Sequence, residues 1–163
     1  MENLCVYPGS FDPITLGHLD LIKRAAAIFG KVVVAVLINP DKQGAFTLDE
    51  RVAMIREACA GIPGVEVDAF SGLLVDYMRR RGARVVVRGL RTVNDFESEC
   101  QMAQVNRQLS DFSVETLFLT TSPEYGSISS SIVRQVAMFG GDIAPFVPDV
   151  ICPQVFQHLN KQS

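Results

Sequence analysis

The sequence predicts an α/β protein built on a doubly wound, five-stranded parallel sheet. Short apolar runs alternate with helical patterns along nearly all of its 163 residues, and this alternation is typical of strand–helix–strand units with parallel strands. The run Val32–Ile38 is apolar throughout, as expected of a strand buried on both faces. No linker, repeat or low-complexity tract interrupts the chain. We therefore expect a single domain over residues 1–163, with a helical segment from about residue 142.

The five strands and the helices between them can be placed in order. Strands are predicted at Leu4–Tyr7, Val32–Ile38, Val65–Phe70, Val85–Val87 and Thr116–Thr120. After the first strand, apolar residues recur with helical spacing at Leu19, Ile22, Ala26 and Phe29. Thr47 and Glu50 form a capping box that begins the second helix. Later helices are predicted at Leu73–Arg81, Val93–Leu109 and Ser129–Phe139, with one more after Gly140 and Gly141.

Composition favours a compact cytoplasmic protein. Hydrophobic residues make up 48% of the chain and charged residues 20%, and the net charge is −3, so the overall field does not attract nucleic acid. No apolar run approaches the ~20 residues of a membrane-spanning helix, and the early first strand leaves no room for a signal peptide. The four cysteines form no Cys-x-x-Cys pair. We expect them to be small, reduced, buried residues.

The turn after the first strand carries the strongest chemical signal. Residues Tyr7–His18 read Tyr-Pro-Gly-Ser-Phe-Asp-Pro-Ile-Thr-Leu-Gly-His, and in open α/β sheets such turns lie at the edge where ligands bind. Free N–H groups at the helix start suit a phosphate, to which His18 could donate. Turn formation alone explains glycine, proline and serine here. The combination with one of only two histidines favours a nucleotide site, whereas His158 is predicted to be a solvated residue near the chain end.

Three more groups fall at the ends of predicted strands. Lys42 follows the second strand, and a lone loop lysine is usually solvated surface. Arg88 and Arg91 follow the fourth strand, where two charges are costly unless anions meet them; guanidinium groups bind phosphate oxygens bidentately. The alternative is that these arginines pair with carboxylates at Asp95, Glu97 or Glu99. A serine run, Ser129–Ser131, lies at a helix start; one serine needs no role beyond the N-cap, but three together could hold phosphates.

These motifs resemble the phosphopantetheine adenylyltransferases, within the nucleotidyltransferase superfamily that carries a T/H-x-G-H motif. Beside the Tyr7–His18 segment, the resemblance rests on Phe46-Thr-Leu-x-Glu-Arg51, Arg88-Gly-Leu-Arg91, Asp95-Phe-Glu97, Asn106-Arg107 and Ile128-Ser-Ser-Ser131. It extends in order from the first strand to about Val147. The resemblance implies a Rossmann-like nucleotidyltransferase fold, a homohexamer, and direct attack of 4′-phosphopantetheine on ATP with Mg²⁺, giving dephospho-coenzyme A and pyrophosphate. Mg²⁺ arrives with ATP, and no protein metal site is expected.

The resemblance also implies roles for individual residues. His18 stabilises the transition state, and Ser10, Lys42 and Arg91 complete the catalytic set. The acceptor is bound by Ser10, Lys42, Leu74 and Arg88. ATP is bound by Ser10, Phe11, His18, Gly89, Leu90, Arg91, Glu99, Tyr125, Gly126, Ser127, Ile128, Ser129, Ser130 and Ser131. Gln135 stands where relatives often carry glutamate, which bears on acceptor affinity and on feedback inhibition by coenzyme A.

Other functions remain open at this stage. A nicotinate-mononucleotide adenylyltransferase or a cytidylyltransferase would share the Gly-His and serine motifs, although Arg88-Gly-Leu-Arg91 argues against both. A silent nucleotide-binding module is a further alternative, against which the intact set of polar residues argues. A flavodoxin-like redox carrier would be excluded by a colourless purified protein.

Overall fold

A computed structural model describes residues 3–41 and 43–161, and Lys42 lies outside the described residues. Five strands form one sheet: β1 Leu4–Gly9, β2 Lys31–Ile38, β3 Val65–Ser71, β4 Val85–Leu90 and β5 Glu115–Thr120. Their order is β3-β2-β1-β4-β5, and every neighbouring pair is parallel. The predicted five-stranded parallel sheet is confirmed.

Helices connect successive strands and continue after the last one. They are α1 Leu16–Phe29, α2 Leu48–Ala58, α3 Leu74–Arg81, α4 Val93–Leu109, α5 Ser130–Met138 and α6 Cys152–Asn160. The predicted capping box of α2 is present, with Thr47 and Glu50 satisfying each other's backbone N–H groups. The α6 helix falls within the helical segment predicted from about residue 142, while the extent of the domain stays a prediction.

Two apolar cores cover the two faces of the sheet. Val32, Val34 and Val36 belong to the larger core, whereas Val33 and Ala35 belong to the smaller one. Successive side chains of a strand point to opposite faces, so β2 is buried on both sides, as its continuous apolar run predicts. The strand order reverses direction at β1, which places the ends of β1 and β4 side by side at the carboxyl edge of the sheet.

The largest differences from the predicted bounds are at the ends of β1 and β4, and the helices predicted from Leu73 and Ser129 each start one residue later. β1 continues through Gly9 because it pairs with β2 up to Val36, and β4 continues to Leu90 because it pairs with β5 up to Thr120. The predicted helix at Ser129 begins one residue later, since Ser129 is its N-cap.

The prediction that His158 is a solvated tail residue is wrong. Its ring stacks on Phe46 with centroids 4.4 Å apart, and its Nε2 lies 2.8 Å from the Ala45 carbonyl. Of the four reduced cysteines, Cys5 and Cys59 are buried as expected, and Cys100 and Cys152 are partly exposed. No helix in the described part of the chain is long and apolar enough to cross a membrane.

Candidate active site

A cavity of about 300 Å³ opens at the carboxyl edge of the sheet, between the ends of β1 and β4 and the start of α5. We call it the central cavity. Its lining includes three of the groups predicted from sequence: the β1–α1 turn with His18, the β4 end with Arg88 and Arg91, and the serine run Ser129–Ser131. Sheet topology brings these segments together because the strand order reverses at this point.

His18 is fixed by the first turn of α1. Thr15 is the N-cap, and its backbone N–H donates to Nδ1 of His18 at 3.0 Å, while its hydroxyl accepts from the His18 backbone N–H at 3.3 Å. The histidine thus takes the place that Glu or Gln has in a capping box. Because Nδ1 accepts a hydrogen bond, the neutral ring carries its proton on Nε2. The ring can therefore donate from Nε2 to a ligand.

The surroundings of His18 keep its ring neutral. Burial, and to a smaller extent the positive charges of Arg91 and Arg88, together lower the pKa of His18 from 6.5 to about 4. A neutral imidazole that donates through Nε2 is suited to stabilising a negative phosphate oxygen without exchanging a proton. This is the role that its position at the helix start predicts.

Aromatic rings pack behind His18. The Phe11 ring meets His18 edge-on at 5.0 Å and meets Tyr7 edge-on at 5.4 Å. Phe11 has φ of 48°, a left-handed conformation that bulky residues rarely adopt. A side chain at Gly9 would place its Cβ 3.0 Å from the Phe11 ring. The absence of a side chain at position 9 leaves Phe11 the room to support the imidazole.

Arg88 projects from β4 between two partners. Its Nε and Nη2 donate to the two carboxylate oxygens of Glu99, and its Nη1 donates to the Pro8 carbonyl at 2.6 Å. A guanidinium has five N–H donors, so two remain after these three bonds. The pairing with Glu99 that the sequence offered as the alternative is present, and Arg88 keeps donors for an anion.

Arg91 has a looser pairing at the same strand end. Its Nε lies 3.4 Å from the Asp95 carboxylate, and its Nη1 donates to the Ile128 carbonyl at 3.1 Å. The second contact ties the end of β4 to the serine segment. The pairing of Arg91 with Asp95 is thus a second case of the alternative in which the arginines pair with nearby carboxylates.

Each serine of the run at the α5 start has a distinct contact. Ser129 caps the helix by accepting from the Ile132 N–H, Ser130 donates to the Pro13 carbonyl at 2.8 Å, and Ser131 accepts from Arg134. Only Ser129 acts as the cap. Ser130 joins α5 to the β1–α1 loop, whereas the contact of Ser131 lies within α5. All three line the central cavity.

A second cavity, of about 360 Å³, lies beside the first, and we call it the side cavity. Its walls are largely apolar and include Leu74, as predicted, together with Leu37, Phe70, Leu73 and Met102. The two cavities share Pro8, Gly9, Ser10, Arg88 and Glu99. A ligand group held by Ser10 and Arg88 would therefore lie where the cavities meet.

Most of the predicted ATP-binding residues line the central cavity. Leu90, Gly126 and Ser127 do not, and Gln135 is exposed on α5 and lines neither cavity. Lys42 lies outside the described residues, so its role stays a prediction. Sequence analysis gave no site role to several lining residues, among them Tyr7, Leu21, Thr121 and Asn106. Tyr7 and Asn106 stand in motifs that carry the resemblance, whereas no local signal marked Leu21 or Thr121.

The carboxylates near the cavities are already engaged. Glu99 and Asp95 pair with Arg88 and Arg91. Among residues 3–41 and 43–161, no His, Cys, Asp and Glu side chains form a group of three that could hold a metal ion.

Comparison with known proteins agrees with the fold. The model of the Cytidylyltransferase-like family matches residues 6–136. A phosphopantetheine adenylyltransferase from Caldanaerobacter subterraneus is 50% identical over 158 residues, which are 97% of this chain and 98% of that protein. Proteins of the same name from Heliobacterium modesticaldum and Clostridium tetani are 55% and 51% identical, over 91% and 98% of this chain and 88% and 99% of their own lengths.

The fold and site define a nucleotidyltransferase-like α/β protein, and the chain belongs to the Cytidylyltransferase-like family. Within that family its resemblance to the phosphopantetheine adenylyltransferases is confirmed by near full-length identity of about half the residues.

Proposed function

We propose that the protein transfers the adenylyl group of ATP to 4′-phosphopantetheine, giving dephospho-coenzyme A and pyrophosphate. The observation that carries this proposal is the pair of adjoining cavities: one is lined by phosphate-binding groups, the other is apolar, and Ser10 and Arg88 lie in their common wall. An apolar arm that ends in a phosphate fits the side cavity with its phosphate at that wall. The names of the relatives support the same substrates.

The reaction is an in-line displacement at phosphorus. An oxygen of the acceptor phosphate forms a bond to the α-phosphorus of ATP, the bond from that phosphorus to the β-phosphate oxygen breaks, and pyrophosphate leaves with its electron pair. Such transfers depend mainly on positioning and on neutralising charge. Mg²⁺ enters as part of the ATP substrate, and no residue of the protein becomes covalently attached.

Each predicted residue has a place in this proposal. His18 donates from Nε2 to an α-phosphate oxygen as negative charge develops, and Ser10 holds the attacking phosphate. Arg88 binds that phosphate with the two donors that Glu99 and Pro8 leave, together with Lys42. Arg91 binds the ATP phosphates beside the Tyr125–Ser131 segment, and Leu74 contacts the neutral arm. Phe11, Gly89, Leu90 and Glu99 belong to the nucleotide side.

The substrate assignment is tested by pyrophosphate release. With ATP and Mg²⁺, the purified protein should release pyrophosphate with 4′-phosphopantetheine, and not with nicotinate mononucleotide, choline phosphate or dephosphorylated pantetheine. ATP should exceed CTP as donor. The reverse reaction from dephospho-coenzyme A and pyrophosphate should also run. A preference for nicotinate mononucleotide would refute the acceptor while leaving the phosphate sites standing.

We also propose that the chain assembles as a homohexamer and that the exposed face of α4 takes part. Met102, Val105 and Leu109 recur at three- and four-residue spacing, and each is about half exposed. Apolar side chains on one helix face favour burial against a second copy. Analytical ultracentrifugation tests this: Val105→Asp should lower the assembly state, and Ile28→Asp, at an exposed apolar position on α1, should not. A monomeric wild-type protein at micromolar concentration would refute the assembly.

Coenzyme A belongs to the same proposal as a feedback inhibitor. It carries both the pantetheine arm and the adenylate of the product, so both cavities would accept it. Inhibition should be competitive with 4′-phosphopantetheine in initial-rate measurements. Gln135 lines neither cavity, so Gln135→Glu tests whether position 135 bears on the inhibition constant, as the resemblance implies; an unchanged constant would leave Gln135 without a role.

A further inference from the structure

The end of β1 and the loop between β1 and α1 are held through their backbone carbonyls by side chains from three other elements. The carbonyls and their donors are Pro8 with Arg88 at 2.6 Å, Ser10 with Arg51 at 2.9 Å, Asp12 with Arg134 at 2.6 Å, and Pro13 with Ser130 at 2.8 Å. The donors come from β4, α2 and α5. Two of them, Arg88 and Ser130, already have a proposed substrate. Arg51 and Arg134 have none.

Arg51 differs from the other donors in its surroundings. It projects from the first half of α2, is half-buried, and lines neither the central nor the side cavity. Its Nη1 donates to the Ser10 carbonyl, while its Nε is buried without a hydrogen-bond partner among the described residues. Burying an unpaired N–H is unfavourable. An apolar side chain of similar length would therefore serve better if packing were the only demand at position 51.

Arg51 holds Ser10, whose position bears on the proposed reaction. Ser10 is exposed at the wall shared by both cavities. The next residue, Phe11, has φ of 48°, and such a conformation persists only when the surroundings fix it. A hydrogen bond to the Ser10 carbonyl restrains the peptide unit that joins these two residues. It thus restrains the Ser10 hydroxyl on one side and the ring behind His18 on the other.

We propose that Arg51 is a positioning residue, which fixes Ser10 so that its hydroxyl meets the acceptor phosphate. This inference rests on the proposed function. Arg51 itself touches no substrate, since it lines neither cavity, and it acts through the backbone of Ser10. Loss of the restraint affects the acceptor more than ATP, because ATP is also held by Arg91 and the serine segment on the far side of the central cavity.

The test compares Arg51→Met with Arg56→Met, a control at an exposed position on the same helix. Arg51→Met should lower kcat/KM for 4′-phosphopantetheine by about tenfold to 10²-fold, as expected when a reacting group is misplaced, and should leave KM for ATP within about twofold. Arg51→Lys should recover part of the loss, because an ammonium can still donate to the Ser10 carbonyl but lacks the rigid planar group that fixes the direction of donation. Unchanged kcat/KM in Arg51→Met, or an equal loss in Arg56→Met, would overturn the inference.

A double-mutant cycle separates positioning from general stability. If Arg51 acts through Ser10, then Ser10→Ala combined with Arg51→Met should lose little more activity than Ser10→Ala alone, whereas additive losses would contradict the inference. Should Arg51→Met not fold, Arg51→Lys replaces it in the same measurements, and kcat/KM equal to wild type would then overturn the inference. Wild-type protein that does not use 4′-phosphopantetheine refutes the proposed function. Active wild type with an unaffected Arg51 variant refutes only the role of Arg51.

Discussion

Two strand-to-helix turns meet at the central cavity and are held in opposite ways. After β1, protein side chains bind backbone carbonyls, and Thr15 fixes the neutral ring of His18. After β4, carboxylates bind the arginines themselves, Glu99 on Arg88 and Asp95 on Arg91. A phosphate competes with carboxylates for arginine but does not compete with arginine for a carbonyl. The first turn is thus held by contacts that a phosphate does not displace. In the second turn, the arginines can exchange their carboxylate partners for a phosphate.

The largest effect is expected from the first turn. His18→Ala removes a donor that is already oriented, so kcat should fall by about 10²- to 10³-fold while substrate affinities change much less. Lys23→Ala, at an exposed position of the same helix, is the control and should be near wild type. Steady-state kinetics with circular dichroism as a check on folding decides the point. Near-normal turnover in folded His18→Ala would remove His18 from the mechanism.

The second turn should divide its effects between the two substrates. Arg88→Ala should weaken mainly the acceptor and Arg91→Ala mainly ATP, each by roughly 10- to 10²-fold, the scale of a lost charge-assisted hydrogen bond. Arg88→Lys should restore only part of the affinity. Calorimetric titration of each ligand separately measures this. Equal losses of affinity for both ligands in both variants would contradict the assignment of Arg88 to the acceptor and Arg91 to ATP.

A smaller change tests how tightly the first turn is packed. In Gly9→Ala the new methyl group would lie 3.0 Å from the buried Phe11 ring, and such overpacking costs about 1–3 kcal/mol of unfolding free energy. Because Phe11 supports His18, kcat should fall as well, though by less than in His18→Ala. Gly126→Ala, whose Cβ meets its nearest atom at 3.5 Å, is the control for stability. Urea unfolding that shows no loss for Gly9→Ala would contradict the packing argument.

The smallest effect concerns pH. Since the folded-state pKa of His18 is lowered to about 4, the unfolded chain binds the proton more readily between pH 6.5 and 4. The stabilisation from neutral His18 is therefore complete above pH 6.5 and is lost as pH falls through that window. His18→Asn should make the unfolding free energy less sensitive to pH between 7 and 5. Ring signals of His18 that titrate near pH 6.5 in NMR would show that the ring is not held neutral.

The sequence predicts the sheet and most helix bounds because their signals are local. The apolar run stops at Val87, so the sequence predicts that β4 ends there. In the structure β4 continues through Arg88 and Gly89 to Leu90, because these residues pair with β5. Local patterns do not report a partner strand. His158 shows the same limit, because its contact with Ala45 joins residues 113 positions apart.

For the site, sequence names the residue types that bind phosphate but not the residues that hold them in place. Arg51 lies in a motif that supported the resemblance, without any signal that its guanidinium reaches Ser10. The carboxylates next to Arg88 and Arg91 were visible as possible partners, and the structure shows both ion pairs. Phosphate binding by the same arginines stays a proposal. Only the fold shows that a pairing with Glu99 leaves two donors for an anion.

The common wall of the two cavities makes the protein a bivalent receptor for any molecule that reaches across it. Each half of such a molecule keeps the other half at a high effective concentration, so the two affinities reinforce each other. In the proposed reaction each substrate alone would fill one cavity, whereas the joined product would fill both. We therefore expect departure of dephospho-coenzyme A to limit turnover, and a rapid initial burst of pyrophosphate in stopped-flow measurements would reveal it. The same pair of cavities that brings the two substrates together would also slow the release of dephospho-coenzyme A.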